Sequence, residues 1–212
     1  MSSLDLQEQE QVEELKAWWK ENNKWVIGVL VIGLLGFAGT KFWKSYQATQ
    51  AAEAAKLYAE VMKQVATNDA KRIGDAADAL VSRYGGSAYA PRAQLLASQA
   101  SLQAKDIAHA KVQLQWVIEH ASETGLQDTA HLKLASVLLD EKKYDEALRQ
   151  LDAAHPESFT GLYSDLRGDV LSAQGKNAEA RVAYQQAYDK TDEKSVYRNL
   201  IQLKMDGLGN AK

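Results

Sequence analysis

Histidine is the side chain in this sequence best suited to binding a transition metal, because the chain has no cysteine. His109, His120 and His131 recur every eleven residues, which would place them on one face of an unbroken helix. Gly125 should interrupt that helix between the second and third histidines. Zinc-binding helices instead carry paired histidines, and neither H-x-x-x-H nor H-E-x-x-H occurs. We therefore predict no metal site.

Motifs for phosphate binding and nucleophilic catalysis are also absent from the sequence. Gly85-Gly86-Ser87 lacks the lysine that follows in a P-loop, and the capping of a helix explains the glycines more simply. No G-x-S-x-G elbow occurs. We predict that the chain is not an enzyme and has no catalytic residue, no cofactor and no small-molecule substrate.

One charged cluster remains, at Asp165, Arg167 and Asp169. The two aspartates are four residues apart and share a helix face, whereas Arg167 points elsewhere. We predict that they form ion pairs with a neighbouring helix, and partner binding is the alternative.

The composition indicates a helical protein. Hydrophobic residues make up 46% and charged residues 25% of the 212 residues, which is enough for a folded core. Alanine is abundant and only two prolines occur. Alanine loses no side-chain entropy in a helix, whereas proline breaks one. The formal net charge of −3 argues against nucleic-acid binding.

An uncharged stretch of sixteen residues runs from Trp25 to Thr40, between Lys24 and Lys41. At ~1.5 Å per residue it spans roughly 24 Å, slightly less than the ~30 Å core of a bilayer. Aromatic residues typical of a membrane interface lie at both ends: Trp18, Trp19, Trp25, Phe42, Trp43 and Tyr46. We predict a transmembrane helix over residues 24–44. The alternatives are a buried core helix and a cleaved signal peptide, although signal peptides begin with a short basic region.

Charge does not decide the orientation of this helix. Three lysines precede the span and three follow it within about twenty residues: Lys16, Lys20 and Lys24, then Lys41, Lys44 and Lys56. The short tail, residues 1–23, weakly favours a cytoplasmic N-terminus.

Residues 45–212 are predicted to form a series of short helices. The first, 45–67, continues the membrane helix or follows it. The others are predicted at 71–84, 87–105, 106–120, 126–140, 144–154, 159–174, 177–190 and 193–206. The breaks are predicted at Asn68-Asp69, Tyr84-Gly85-Gly86, Gly125, His155-Pro156 and Gly175.

Two of these helix pairs repeat at an offset of 33 residues. Ala135, Leu138, Ala147, Leu151 and Ala154 recur as Gly168, Leu171, Ala180, Tyr184 and Ala187. The intervals resemble the tetratricopeptide signature, in which a small residue lets two helices approach and a large one fills the adjacent gap. A weaker third copy, with serines at its first two positions, is Ser98, Ser101, Ala110, Leu114 and Val117. We predict an all-α, tetratricopeptide-like, right-handed array of antiparallel helix pairs. A plain helical bundle is the alternative.

Stacked helix pairs of this kind leave a concave surface, which the first helix of each pair lines. By analogy with tetratricopeptide repeats, a partner-binding groove is predicted there. Its candidate residues are Arg92, Leu95, Gln99, Leu102, Leu132, Ser136, Leu139, Leu162, Asp165 and Asp169. The mixture of apolar and polar side chains would suit an extended peptide or a helix.

The order of these features resembles the YfgM family, the ancillary subunits of the bacterial SecYEG translocon. At the N-terminus the resemblance lies in Gln11-Val12-Glu13-Glu14-Leu15-Lys16, in Trp18-Trp19-Lys20-Glu21-Asn22-Asn23-Lys24 and in a glycine-rich span that ends at Phe42-Trp43. In the soluble part it lies in Ser164-Asp165-Leu166-Arg167-Gly168-Asp169 and continues to Gly175.

The resemblance implies a single-pass protein of the inner membrane, with tail 1–23 cytoplasmic, anchor 24–44 and a periplasmic repeat domain at 45–212. It implies association with SecYEG and the periplasmic chaperone PpiD, and transfer of nascent or unfolded proteins to periplasmic chaperones. The family supplies no catalytic residues. The alternatives are a membrane-anchored scaffold for other envelope assemblies and a stress-response regulator that acts through the cytoplasmic tail.

Overall fold

The fold is described by a computed structural model, which covers the backbone of residues 3–209 and the side chains of residues 8 and 10–209. Residues 1, 2 and 210–212, part of the predicted tail and repeat domain, lie outside this range. Within it every secondary-structure element is a helix, as the all-α prediction requires. The helices are α1 (Ser3–Val65), α2 (Ala70–Tyr84), α3 (Tyr89–Gln103), α4 (Ile107–His120), α5 (Thr124–Asp140), α6 (Tyr144–Leu151), α7 (Thr160–Ala173), α8 (Asn177–Lys190) and α9 (Val196–Gly207). A 3-10 turn at Glu157–Phe159 precedes α7.

The chain divides into two compact units, residues 1–51 and 52–212. The first unit belongs to α1, which contains the stretch predicted to cross a membrane. It is the one helix of the described chain that is long and apolar enough to do so. No residue of its most apolar window is buried within the structure, which excludes the alternative of a buried core helix.

In the second unit the two helices of each pair are joined by a turn that contains a residue with positive φ. Asn68, Lys105, Lys142 and Gly175 each have positive φ and lie between the helices of a pair. In three of these turns the next residue donates its N–H to a carbonyl five residues earlier, for example Lys176 to Leu171 at 2.9 Å. This is the Schellman geometry that ends a helix. The turns from α3 to α4, α5 to α6 and α7 to α8 are therefore equivalent.

Four turn residues with positive φ indicate four pairs, one more than the sequence repeat predicts. The additional pair consists of the last turns of α1 and helix α2. Its buried residues Val61, Ile73, Ala77 and Leu80 lie 37 residues before Ser98, Ala110, Leu114 and Val117. The array therefore begins within α1.

The third sequence copy, with its two serines, also forms a helix pair, α3 and α4. The Ser98 hydroxyl donates to the Leu95 carbonyl at 2.8 Å, and the Ser101 hydroxyl donates to Gln113 Oε1 at 2.9 Å. Both serines are buried. Because each hydroxyl has an acceptor, polar residues are tolerated at positions where the other copies are apolar.

Two details of the predicted helices are wrong. Helix α6 ends at Leu151, so Ala154 is exposed although its counterpart Ala187 is buried. Gly125 lies in the first turn of α5, and the break falls at residues 121–123. Helix α2 ends at Tyr84 with Gly85 as its C-cap, as predicted, and Gly85 has a right-handed conformation with φ −56°.

The core follows the stacking of the pairs and forms three apolar clusters. Trp116 packs against the first and second clusters along the chain, and Leu148 against the second and third. Each pair therefore buries its apolar face against its neighbours, as in a repeat array. The five helices α1, α3, α5, α7 and α9 occupy the first position of successive pairs, with α9 having no second helix in the described chain.

Candidate partner-binding face

The ten predicted groove residues lie on α3, α5 and α7, each the first helix of its pair. Gln99, Ser136 and Leu162 are exposed, and Asp165 is buried. The others are half-buried: Arg92, Leu95, Leu102, Leu132, Leu139 and Asp169.

Side-chain hydrogen bonds join the polar groove residues of α3 to α5 and to the turn before it. Arg92 donates from Nη2 to Glu123 Oε2 at 2.8 Å, just before α5 begins. Lys133 Nζ donates to Gln99 Oε1 at 3.0 Å. The apolar members Leu95, Leu132 and Leu139 pack against the central core cluster. This part of the predicted groove is therefore a surface of polar side chains over an apolar floor.

Asp165 and Asp169 on α7 bind α9. Lys204 Nζ donates to Asp165 Oδ2 at 2.7 Å and to Asp169 Oδ2 at 2.8 Å. The Tyr197 hydroxyl donates to the same oxygen of Asp165 at 2.5 Å, and the Tyr184 hydroxyl donates to Asp169 Oδ1 at 2.7 Å. The ion pairs expected with a neighbouring helix are thus present, and the neighbouring helix is α9.

Arg167, the third member of the charged cluster, points away from the two aspartates. Its Nη2 donates to Asp152 Oδ1 at 2.6 Å and to the Leu151 carbonyl at 2.9 Å, both at the end of α6. Asp165 has a side chain only 5% exposed. Its carboxylate is therefore not presented on the open surface where the groove prediction placed it.

Three groups in the cluster around Lys204 have raised pKa values: Lys204, Tyr184 and Tyr197. Burial lowers the pKa of Lys204, but hydrogen bonds and attraction from the two aspartates outweigh this effect and raise it overall. Burial is also the main reason that the pKa values of Tyr184 and Tyr197 are raised, followed by their hydrogen bonds to Asp169 and Asp165. Both phenols therefore stay neutral donors and Lys204 stays charged at neutral pH.

Each histidine of the chain has a local partner. His109 Nδ1 lies 2.7 Å from Asp106 Oδ2, and His131 Nδ1 lies 2.8 Å from Gln150 Oε1. The His120 ring stacks on Trp116. His155 stacks on Tyr163, whose hydroxyl donates to the buried Asp128 at 3.0 Å. Among the residues that the structure describes, no group of three metal-binding side chains is close enough to hold an ion.

The predicted groove residues do not include the surface contributed by α9. Val196, Leu200 and Leu203 are exposed on this helix, as is the predicted residue Leu162 on α7. Their spacing, i, i+4 and i+7, is visible in the sequence and marks one face of a helix. That signal usually indicates a buried face, so only the structure shows that these side chains are exposed.

Comparison with known proteins identifies the family. Residues 16–210 match the family model described as a tetratricopeptide repeat-like domain. The chain is 34% identical over 205 residues to the ancillary SecYEG translocon subunit of Neisseria gonorrhoeae, covering 96% of this chain and 98% of that protein. The chain belongs to the ancillary SecYEG translocon subunit family.

Two further members of the ancillary subunit family show that the match extends over nearly the whole chain. The Escherichia coli K12 protein is 28% identical over 201 residues, which cover 95% of this chain and 96% of that protein. The Haemophilus influenzae protein is 26% identical over 185 residues, which cover 87% and 90%. The resemblance to the YfgM family and the tetratricopeptide-like fold prediction are both confirmed.

Proposed function

We propose that this protein is a non-enzymatic interaction subunit that associates with the SecYEG translocon in the bacterial inner membrane. The observation that carries the proposal is the end-to-end similarity to ancillary SecYEG translocon subunits. The apolar part of α1 and the array of helix pairs agree with this role. An array of this kind offers an extended surface to other proteins.

The proposal assigns residues 1–23 to the cytoplasm, 24–44 to the membrane and 45–212 to the periplasm. In this arrangement the array stands where proteins emerge from the translocon. Its role is to link secreted and outer-membrane proteins, while still nascent or unfolded, to the periplasmic chaperone network, with PpiD as the chaperone partner. Binding takes place on the surface formed by α3, α5 and α7.

Crosslinking and co-purification from detergent-solubilised membranes test the association. The full chain should recover SecYEG and PpiD. A matched variant, in which an unrelated membrane helix replaces residues 24–44, shows which contacts depend on the anchor itself. If the full chain recovers neither partner, the proposed function is wrong.

The orientation can be tested by labelling, because the natural chain has no cysteine. Ala17→Cys probes the tail and Ser122→Cys probes the exposed turn before α5. A membrane-impermeant maleimide should label Ser122→Cys in spheroplasts and should label Ala17→Cys only after lysis. The reverse pattern would place the array in the cytoplasm and exclude a periplasmic chaperone function.

A further inference from the structure

The surface of helix α9 divides into three sectors of different chemistry. Tyr197, Ile201 and Lys204 face α7 and the core, and Met205 is also buried. A polar sector carries Asn199, Gln202 and Asp206, which are all exposed. The third sector carries Val196, Leu200 and Leu203, which are 82%, 47% and 67% exposed and lie within about 60° of one another around the helix. We call these three residues the apolar ridge.

The polar sector of α9 is exposed at all three of its polar residues. Within this sector the Gln202 amide donates to Asp206 Oδ1 at 2.9 Å. Terminal repeats are polar on their outer face. The apolar ridge lacks this polar character, so its exposure needs another explanation.

The ridge borders a valley between α7 and α9. Tyr197 and Lys204 reach α7, whereas Arg198 lies over the Tyr188 ring of α8, 4.0 Å from its centroid. The ridge adjoins the side that faces α7 and lies away from α8. On α7, Leu162 is 43% exposed and lies on the same face of the helix as Asp165 and Asp169, one turn before Asp165. Leu162 and the ridge therefore line one apolar valley.

This valley concentrates the exposed apolar side chains of the array. Within the described part of the second unit, seven large apolar side chains are exposed, and four of them are Leu162, Val196, Leu200 and Leu203. A concentration of this kind on a monomer typically marks an interaction site. Because the ridge residues are four and three positions apart, neighbouring side chains of the ridge are about 5–6 Å from each other. This spacing matches the side-chain rows of another helix rather than those of a strand.

The charged residues around the valley indicate the sign of the charge on its partner. Four carboxylates and three cations belong to α7, to α9 or to the turn before α9 near the valley: Asp165, Asp169, Asp192 and Glu193, with Lys194, Arg198 and Lys204. Lys204 is already shared between two carboxylates, and Arg198 lies 4.0 Å from Glu193. The net charge is therefore negative, which repels both a second copy of this valley and anionic lipid headgroups.

We propose that the valley between α7 and α9 binds a basic amphipathic helix of a partner protein. The apolar side chains of that helix pack on Leu162 and the ridge, and its lysine or arginine residues lie over the acidic margin. This proposal deepens the function proposed above, on which it rests, by naming the surface and the partner chemistry.

Photo-crosslinkable peptides and the full chain in lipid nanodiscs test the proposal. The first peptide carries leucines at i, i+3, i+4 and i+7 with lysines elsewhere, the second has glutamates in place of the lysines, and the third has the leucines of the first in scrambled order. The ridge variant is Val196→Ser with Leu203→Ser. Its matched control is Val112→Ser with Val182→Ser, which removes two side chains of similar exposure, 69% and 71%, from α4 and α8.

The lysine peptide should crosslink to the parent and to the control variant, and roughly tenfold more weakly to the ridge variant, with added salt lowering the yield. The acidic and scrambled peptides should crosslink poorly. Equal crosslinking of the ridge variant, or no preference for the lysine peptide, would overturn the proposal. So would a dimeric parent chain that the ridge substitutions make monomeric, because the occupant would then be a second copy.

Co-purification of SecYEG with the parent chain is measured separately and needs no peptide. Retained SecYEG with no peptide preference refutes the valley alone. Loss of SecYEG from the parent chain refutes the proposed function.

Discussion

Tyr184 on α8 occupies the space that a side chain at Gly168 on α7 would need. A Cβ atom built at position 168 would lie 2.4 Å from Tyr184 Cδ1, far inside van der Waals contact. The preceding pair has Ala135 where this pair has Gly168, and Leu151 where this pair has Tyr184. Alanine is larger than glycine, and leucine is smaller than tyrosine. Both helix pairs therefore fill the gap between their two helices, one with alanine and leucine and the other with glycine and tyrosine.

Gly168→Ala should lower the free energy of unfolding by about 1–3 kcal/mol, because the core is overpacked and Tyr184 must move. Urea unfolding of the full chain in detergent, followed by circular dichroism, measures this. Gly74→Ala is the matched control, since its Cβ would lie 3.8 Å from Gln113, and it should be neutral or up to about 1 kcal/mol stabilising.

The double variant Gly168→Ala with Tyr184→Leu reproduces the Ala135 and Leu151 combination, so it should recover part of the stability lost. If the single alanine variant is as stable as the parent, the close approach of α7 and α8 does not limit this position.

The left-handed turn residues make a second prediction. Lys142 has φ 59° and its equivalent Gly175 has φ 77°. Gly175→Lys should destabilise the array by about 1–2 kcal/mol, because a side chain is strained in this conformation, and Lys142→Gly should be neutral or slightly stabilising. Thermal unfolding of both variants tests this. Gly86→Lys, at an exposed glycine without positive φ, should change stability by less than about 0.5 kcal/mol, and an equal loss there would refute the explanation.

Lys204→Met should loosen α9. The variant leaves the Asp165 carboxylate, already 5% exposed, without its ammonium partner, and we expect a loss of about 2 kcal/mol, less than for a fully buried pair because Lys204 is 25% exposed. Amide hydrogen exchange should accelerate in α9 before it does in α5. Lys194→Met, at an exposed position in the preceding turn, is the control. Unchanged exchange in α9 of the Lys204 variant would show that the ion pairs do not hold this helix.

Alkaline pH should destabilise the array. Burial, followed by hydrogen bonding to aspartate, raises the pKa values of Tyr163, Tyr184 and Tyr197 above the ordinary 10.0. Groups with a raised pKa in the folded state stabilise it fully below their unfolded pKa, and this contribution is lost as the pH rises further. Lys204 acts in the same direction, from an ordinary value of 10.5. Stability should therefore decrease above about pH 10.

Ultraviolet absorbance of tyrosinate, recorded together with circular dichroism, measures this transition. Three of the nine tyrosines should ionise only as helix is lost. Ionisation of all nine while the helical signal stays intact would contradict the buried hydrogen bonds of these phenols.

Local sequence signals predicted most of the helices, because each signal depends only on the side chains of a few adjacent residues. Asp106 caps α4, as its position before an apolar stretch predicts, and its carboxylate accepts from the His109 N–H at 3.1 Å. Gly175 marks the turn before α8 because glycine adopts positive φ without strain. Lys105 and Lys142 adopt the same conformation without such a signal, so the equivalence of the turns was not visible.

The sequence by itself determined the stretch that is long and apolar enough to span a membrane, the all-helical class and the repeat of α5–α6 in α7–α8. These properties depend on hydrophobicity and periodicity along the chain, and neighbouring residues carry both. Only the tertiary structure showed that the end of α1 forms the first pair and that Asp165 and Asp169 bind Lys204 of α9. It also showed that Val196, Leu200 and Leu203 remain exposed. Each of these facts depends on which distant helix covers a given face. An apolar stripe has the same sequence pattern whether it is buried or exposed.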